Sequence, residues 1–114
     1  MASMSLAALE GVDMHAPAAL KLLATAQEAG APTAKACADS MSRDPATREG
    51  ALDRLRAAAV KDSDALNFLG IAAFTSDRLD SATEVWTTSV EFGDAVAPLL
   101  LRRVPTRQTA TSPE

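Results

Sequence analysis

Tyrosine is absent from the sequence, and it has one tryptophan, one histidine and one cysteine. Each shortage excludes something. A lone cysteine makes no internal disulfide, so nothing in the chain requires an oxidising compartment. The lone histidine, His15, has no second imidazole with which to build a zinc site, and no serine is spaced as a nucleophile elbow. There is no glycine-rich phosphate loop. No apolar run approaches the roughly 20 residues that cross a bilayer. The opening MASMSLAALEGVDMH lacks the positive flank of a secretory signal. Cation excess is missing too: a formal net charge of −4 argues against a nucleic-acid surface, which would need a clustered basic face. The expectation is a cytoplasmic protein that is not an enzyme, needs no cofactor or metal, and contacts neither nucleic acid nor membrane.

What the chain has in quantity is alanine, which costs least in a helix and lets helix backbones approach closely. With 114 residues it suits one small domain with its own core. Three segments align without gaps: ALKLLATAQEAGAPTAKACA from Ala19, ALDRLRAAAVKDSDALNFLG from Ala51 and ATEVWTTSVEFGDAVAPLLL from Ala82. Alanine opens each. A large apolar residue follows four later (Leu23, Leu55, Trp86) and a small one seven later (Ala26, Ala58, Ser89). A breaker or cap comes next at Gly30-Ala31, Asp62-Ser63 and Gly93-Asp94, then a second apolar stretch with Cys37, Leu69 and Leu100 in equivalent places. A fixed period of thirty-odd residues signals a helical repeat array.

In chain order the pattern predicts about seven helices. The first runs near Ser3 to Glu10, capped by Ser3 or Ser5 and stopped by Gly11. A second runs from Pro17 to about Ala29, and a third from Pro32 to about Met41. Asp44-Pro45, a carboxylate cap followed by proline in the first turn, starts the fourth. Asp62-Ser63-Asp64 starts the fifth, where Gly70 inside the helix implies a close backbone crossing. Ser76 or Asp77 caps the sixth, which ends at Gly93. Asp94 caps a seventh that begins near Ala97, since Pro98 must lie in a first turn. One helical domain is expected over 1–103, with a polar disordered tail from 104 to 114.

The run Leu66, Leu69-Gly70, Ala82, Trp86, Gly93-Asp94 resembles the tetratricopeptide-repeat superfamily, in its Sel-like flavour: an alanine, a tryptophan four later, and Gly-Asp before a leucine-rich helix. The resemblance covers about residues 19–103 and is clearest over 51–101. The chain departs from the family in having Ala73 where an aromatic is expected, in a slightly short period, and in a middle repeat without its glycine. The resemblance implies an all-α fold, a short α-solenoid of stacked antiparallel helix pairs. It also implies a groove that holds a peptide or partner helix, the chain then serving as an adaptor or scaffold. Carrying the family's groove positions across selects Lys35, Asp39, Arg43, Asn67, Ile71, Thr75 and Arg102. Lys35, Arg43 and Asn67 would hold a carboxylate or extended backbone over an Ile71 floor. The plain alternative is that these are solvated polar positions on helices.

A second class of function is self-association. The segment VAPLLLRRV is strongly apolar with no downstream helix to cover it, so Leu99, Leu100, Leu101 and Val104 form a candidate homodimer patch. A fainter likeness concerns DSDALNFLG, which resembles the region around the attachment serine of acyl carrier proteins. There Asp64 replaces the usual hydrophobic residue, and the repeat register already explains Ser63 as part of a cap. Cys37 and Trp86 read as core residues, and Asp77, Asp80 and Glu84 as a solvated face.

Overall fold

The computed structural model describes residues 2–105, and within them every regular element is an α-helix. The helices are α1 (Ala2–Val12), α2 (Ala16–Glu28), α3 (Ala34–Asp39), α4 (Pro45–Ala58), α5 (Ser63–Thr75), α6 (Leu79–Glu91) and α7 (Ala97–Leu101). The fold is all-α, and each helix packs on the next along the chain. Residues 106–114 of the expected tail lie outside the described residues, while Val104, at its predicted start, is buried in the core.

Local chemistry accounts for most of the boundaries. Asp44 Oδ2 accepts the Thr47 N–H at 3.1 Å, with Pro45 behind it in the first turn of α4. Asp62 Oδ1 accepts from Asp64 N at 2.9 Å at the head of α5. Asp94 Oδ1 accepts from both Val96 N and Ala97 N, 2.8 and 2.9 Å away, at the head of α7. Four helices end alike, with a left-handed residue just past the cap: Met14 after α1, Gly30 after α2, Asp77 after α5 and Gly93 after α6. In each, two backbone N–H groups turn back onto the last carbonyls, as Arg78 N does to Ala73 O and Asp77 N to Phe74 O. This explains why Asp77 does not cap α6: it is spent closing α5. Arg78 precedes α6 with no side-chain cap bond. At the other end of the chain α1 starts at Ala2 and runs through Gly11 instead of stopping there. The third helix is shorter than predicted, six residues beginning after Thr33.

The three aligned segments agree in burial at their first two marked positions, whereas Ala58 and Leu69 are half-buried where Ala26, Ser89, Cys37 and Leu100 are buried. Ala19, Ala51 and Ala82 are completely buried, as are Leu23, Leu55 and Trp86 four residues on. The helices that carry them, α2, α4 and α6, each pack between the preceding and the following helix. A hydroxyl at the head of one helix also reaches the carboxylate that caps the head of a later one. Thr33 Oγ1 donates to Asp62 Oδ2 at 3.0 Å, and Ser63 Oγ donates to Asp94 Oδ2 at 2.7 Å. The two clasps span 29 and 31 residues.

Gly70 is answered by a side chain, not by the expected backbone crossing. A β-carbon there would lie 2.1 Å from Trp86 Nε1 and 2.5 Å from its Cδ1. The missing methyl gives the indole a seat flush against α5, and Phe74 tilts onto the ring with centroids 5.5 Å apart.

α1 gives the array its closure. Besides its partner α2 it packs on α5 and α7, burying Met4, Ala7, Ala8 and Val12. Past its end, Asp13 takes both arms of Arg103, Nε and Nη2, at 3.1 Å each. The radius of gyration, 13.1 Å, is about that of a compact globular chain of this length. The expected uncovered apolar face at the C-terminal end is therefore absent. Leu100 and Val104 are buried, and Leu99 and Leu101 are half-buried, because α1 and α6 cover the helix that the sequence pattern leaves open.

Candidate functional site

The residues weighed for chemistry lie in three separate places. Cys37 is buried, and desolvation, then the nearby Asp64 and Asp62 charges, push its thiol far above the usual range, so it stays protonated and inert. His15 is exposed, its Nδ1 2.9 Å from Glu10 Oε2. Ser63 has its hydroxyl committed to Asp94. Among the described residues no group of three His, Cys, Asp or Glu side chains could hold a metal ion. No helix among them is long and apolar enough to cross a membrane.

Two groove positions turn out to be structural. Asn67 is 1% exposed and both ends of its amide are hydrogen-bonded. Oδ1 accepts from Ser89 Oγ at 2.8 Å, Nδ2 donates to Asp94 Oδ1 at 3.1 Å, and the backbone carbonyl accepts from Trp86 Nε1 at 3.1 Å. It ties α5, α6 and the head of α7 into one network. Burial raises the Asp94 carboxyl, but hydrogen bonds from Ser63, Asn67, Ala97 N and Val96 N outweigh that and hold it below the ordinary carboxylate range. Ile71 is also buried, under Gly11 of α1. A partner's backbone or carboxylate could not reach Asn67, and Ile71 is no open floor: the groove that α5 and α7 would offer is filled by α1.

The remaining groove positions divide. Lys35, Arg43, Thr75 and Arg102 are exposed. Asp39 is ion-paired with Arg54 at 2.9 Å and Lys35 at 3.6 Å, and Arg54 above all holds its carboxyl low. What the structure brings together is Ile71 and Thr75. They line one cavity of about 250 Å³ with Gly11, Met14, Ala16, Ser40, Met41 and Ala72, where α1 turns into α2, α3 ends and α5 ends. Its walls are mostly apolar and carry no charged side chain. The two hydroxyls already donate within their own elements, Ser40 to Cys37 O and Thr75 to Ala72 O, so each has only lone pairs to offer. Met14, 52% exposed, and Met41 supply flexible thioethers that adapt to an irregular guest. The volume lies below the roughly 300–1,000 Å³ of small-molecule sites and suits one apolar side chain. A larger cleft of about 490 Å³ is lined by Ala31, Pro32, Thr33, Ala58, Lys61, Asp62 and Asp64; Thr33 and Asp62 bond each other across it, and Lys61 and Asp64 add charged side chains to its wall.

Met14 and Met41 have no place in the sequence-based site. Neither sits in the repeat register, since one closes α1 and the other follows α3. The only available signal was an apolar residue stranded in each connection. No protein-family model matches the chain, and no curated protein or solved structure is significantly similar to it.

Proposed function

We propose that this chain is a non-enzymatic protein-interaction module, an adaptor or scaffold of tetratricopeptide type with Sel-like character, and that it takes an apolar side chain of a partner into the Met14–Met41–Ile71 pocket. The observation that carries the proposal is that pocket: apolar, uncharged, sized for one side chain, and lined by two of the groove positions selected by the family resemblance. The matched burial of the three opening alanines and the repeated hydroxyl–carboxylate clasp support the repeat reading. The partner is a protein or peptide, the compartment the cytoplasm, and the catalytic role none. The homodimer reading loses its motive with the burial of Leu100 and Val104.

Affinity capture from source lysate, comparing the intact chain with Ala72→Phe, tests this. Ala72 lines the cavity and is only half-buried, so the phenyl ring fills the pocket while the helices stay folded. The expected result is a saturable partner held by the parent chain and lost by the variant, with an unchanged far-UV melt. A partner retained by the variant rejects the pocket, and the absence of any saturable partner rejects the module.

A further inference from the structure

The cleft of about 490 Å³ lies at the head of α5, the opposite end of that helix from the Met14–Met41–Ile71 pocket. Its volume falls within the range of small-molecule sites. Ala31, Pro32 and Ala58 give it an apolar wall, and two charged side chains stand beside them. Lys61 is exposed and makes no ion pair among the described residues, and the half-buried Asp64 carboxylate has neither an ion pair nor a hydrogen bond there. Asp62 is engaged at both oxygens, Oδ2 by the Thr33 hydroxyl and Oδ1 by the Asp64 N–H. The dipole of α5 favours an anion at this end, but its first N–H groups are taken, Asp64 N by Asp62 Oδ1 and Ala65 N by Asp62 O at 3.1 Å. Burial, then the charges of Asp62 and Asp94, still raise Asp64 above its ordinary value; only the chain's terminal amine acts the other way, least of the four. The field at Asp64 is therefore negative and its charge poorly solvated, which a cation entering the cleft would relieve.

We propose that this cleft is a binding site for an alkylammonium group, its charge on the Asp64 carboxylate and its methylenes against Ala31, Pro32 and Ala58. The site is separate from the apolar pocket, and its test does not depend on that reading. A free aliphatic amine and a partner's lysine side chain carry the same chemistry, a compact cation on a flexible apolar stem. An ammonium suits the cleft better than a metal ion does. Asp62 already holds a donor on each oxygen, no group of three metal ligands exists among the described residues, and half the wall is apolar. An anionic ligand would find only the exposed Lys61, with Asp62 and Asp64 opposing it.

Titration of the full chain with n-butylammonium chloride at pH 7, with ionic strength held by sodium chloride, tests the site through 1H–15N shifts. The Ala31, Thr33, Ala58 and Asp64 amides should move saturably while those of Ile71 and Thr75 stay put. Asp64→Asn, which removes a charge that burial disfavours, should weaken binding roughly tenfold or more, whereas Lys61→Ala should leave it equal or tighter. Saturating amine should also move the titration of the Asp64 side-chain carboxyl to lower pH, since a bound cation favours the charged form. Each methylene removed from the amine should lower affinity by up to about fourfold. A parallel arm with acetyl-Gly-Lys-Gly-amide separates the sources. Affinity at least equal to that of the free amine assigns the site to a partner's lysine, and weaker or no binding of the peptide assigns it to a small amine. Shifts that grow without saturating, or that sodium chloride alone reproduces, overturn the proposal, and so does Asp64→Asn binding as the parent does. Loss of the ligand in Lys61→Ala also overturns it, because the cleft would then be recognising an anionic or neutral group.

Discussion

The indole N–H of Trp86 on α6 donates to the backbone carbonyl of Asn67 on α5, 3.1 Å away, across the space that a side chain on Gly70 would fill. One residue's lack of a β-carbon thus fixes how closely two helices pack. Gly70→Ala should therefore destabilise the protein despite alanine's helix propensity, which favours the substitution by about 1 kcal/mol. The added methyl must displace the ring, and a net loss of roughly 1–3 kcal/mol is expected for such overpacking. Urea unfolding followed by far-UV circular dichroism measures it. Trp86→Leu should make the same substitution nearly harmless, because the clash partner is gone.

Asp77→Gly should stabilise. Asp77 ends α5 at φ +62°, and glycine takes that conformation without steric cost. The gain expected is on the order of 1 kcal/mol, the left-handed cost relieved less the backbone entropy glycine adds to the unfolded chain, read as a shift of the urea midpoint with unchanged slope.

Two carboxylates should give opposite pH responses. Burial first, then the charges of Asp62 and Asp94, raise Asp64 above its ordinary value, so the folded state binds its proton more tightly than the unfolded state does. Its charge therefore costs stability at neutral pH, and that cost fades as pH falls through its raised pKa. Asp64→Asn should raise the thermal midpoint at pH 7 and lose the advantage in acid. Asp94 is shifted the other way. Its contribution is present above the unfolded carboxylate range and disappears as pH falls through the lowered folded value. Asp94→Asn should be destabilising at pH 7, with a deficit that shrinks in acid.

Cys37 should react only when the protein opens. Its thiol is buried and held protonated, so alkylation at pH 8 should follow the unfolding rate and not the reagent concentration once reagent is in excess. Prompt labelling of the native chain would show that the wall around α3 is looser than described.

The period written by Ala19, Ala51 and Ala82 was enough to place the buried faces of α2, α4 and α6, because an alanine four residues before a large apolar side chain has the same packing consequence each time. Asp44, Asp62 and Asp94 could be read as caps for an equally local reason. The closure by α1 was not legible. It rests on packing of α1 against α5 and α7 and is accompanied by a contact between Asp13 and Arg103, 90 residues apart, and neither leaves a periodic trace. The packing of α1 changes the site. It buries Ile71 under Gly11 and, with α6, covers Leu100, whereas Asn67 is drawn inward by Ser89 and Asp94. It also gathers Met14 and Met41, which the pattern treats as loop residues, around a shared cavity.

The most direct test of the functional account uses methionine methyl signals. With 13C-methyl labels, Met14 and Met41 report from the pocket and Met4 from the buried face of α1. On titration with the captured partner, the Met14 and Met41 methyls should shift in proportion to bound fraction, while in Ala72→Phe they should stay put. Saturable binding that leaves both of these methyls unmoved in the parent chain would contradict the account.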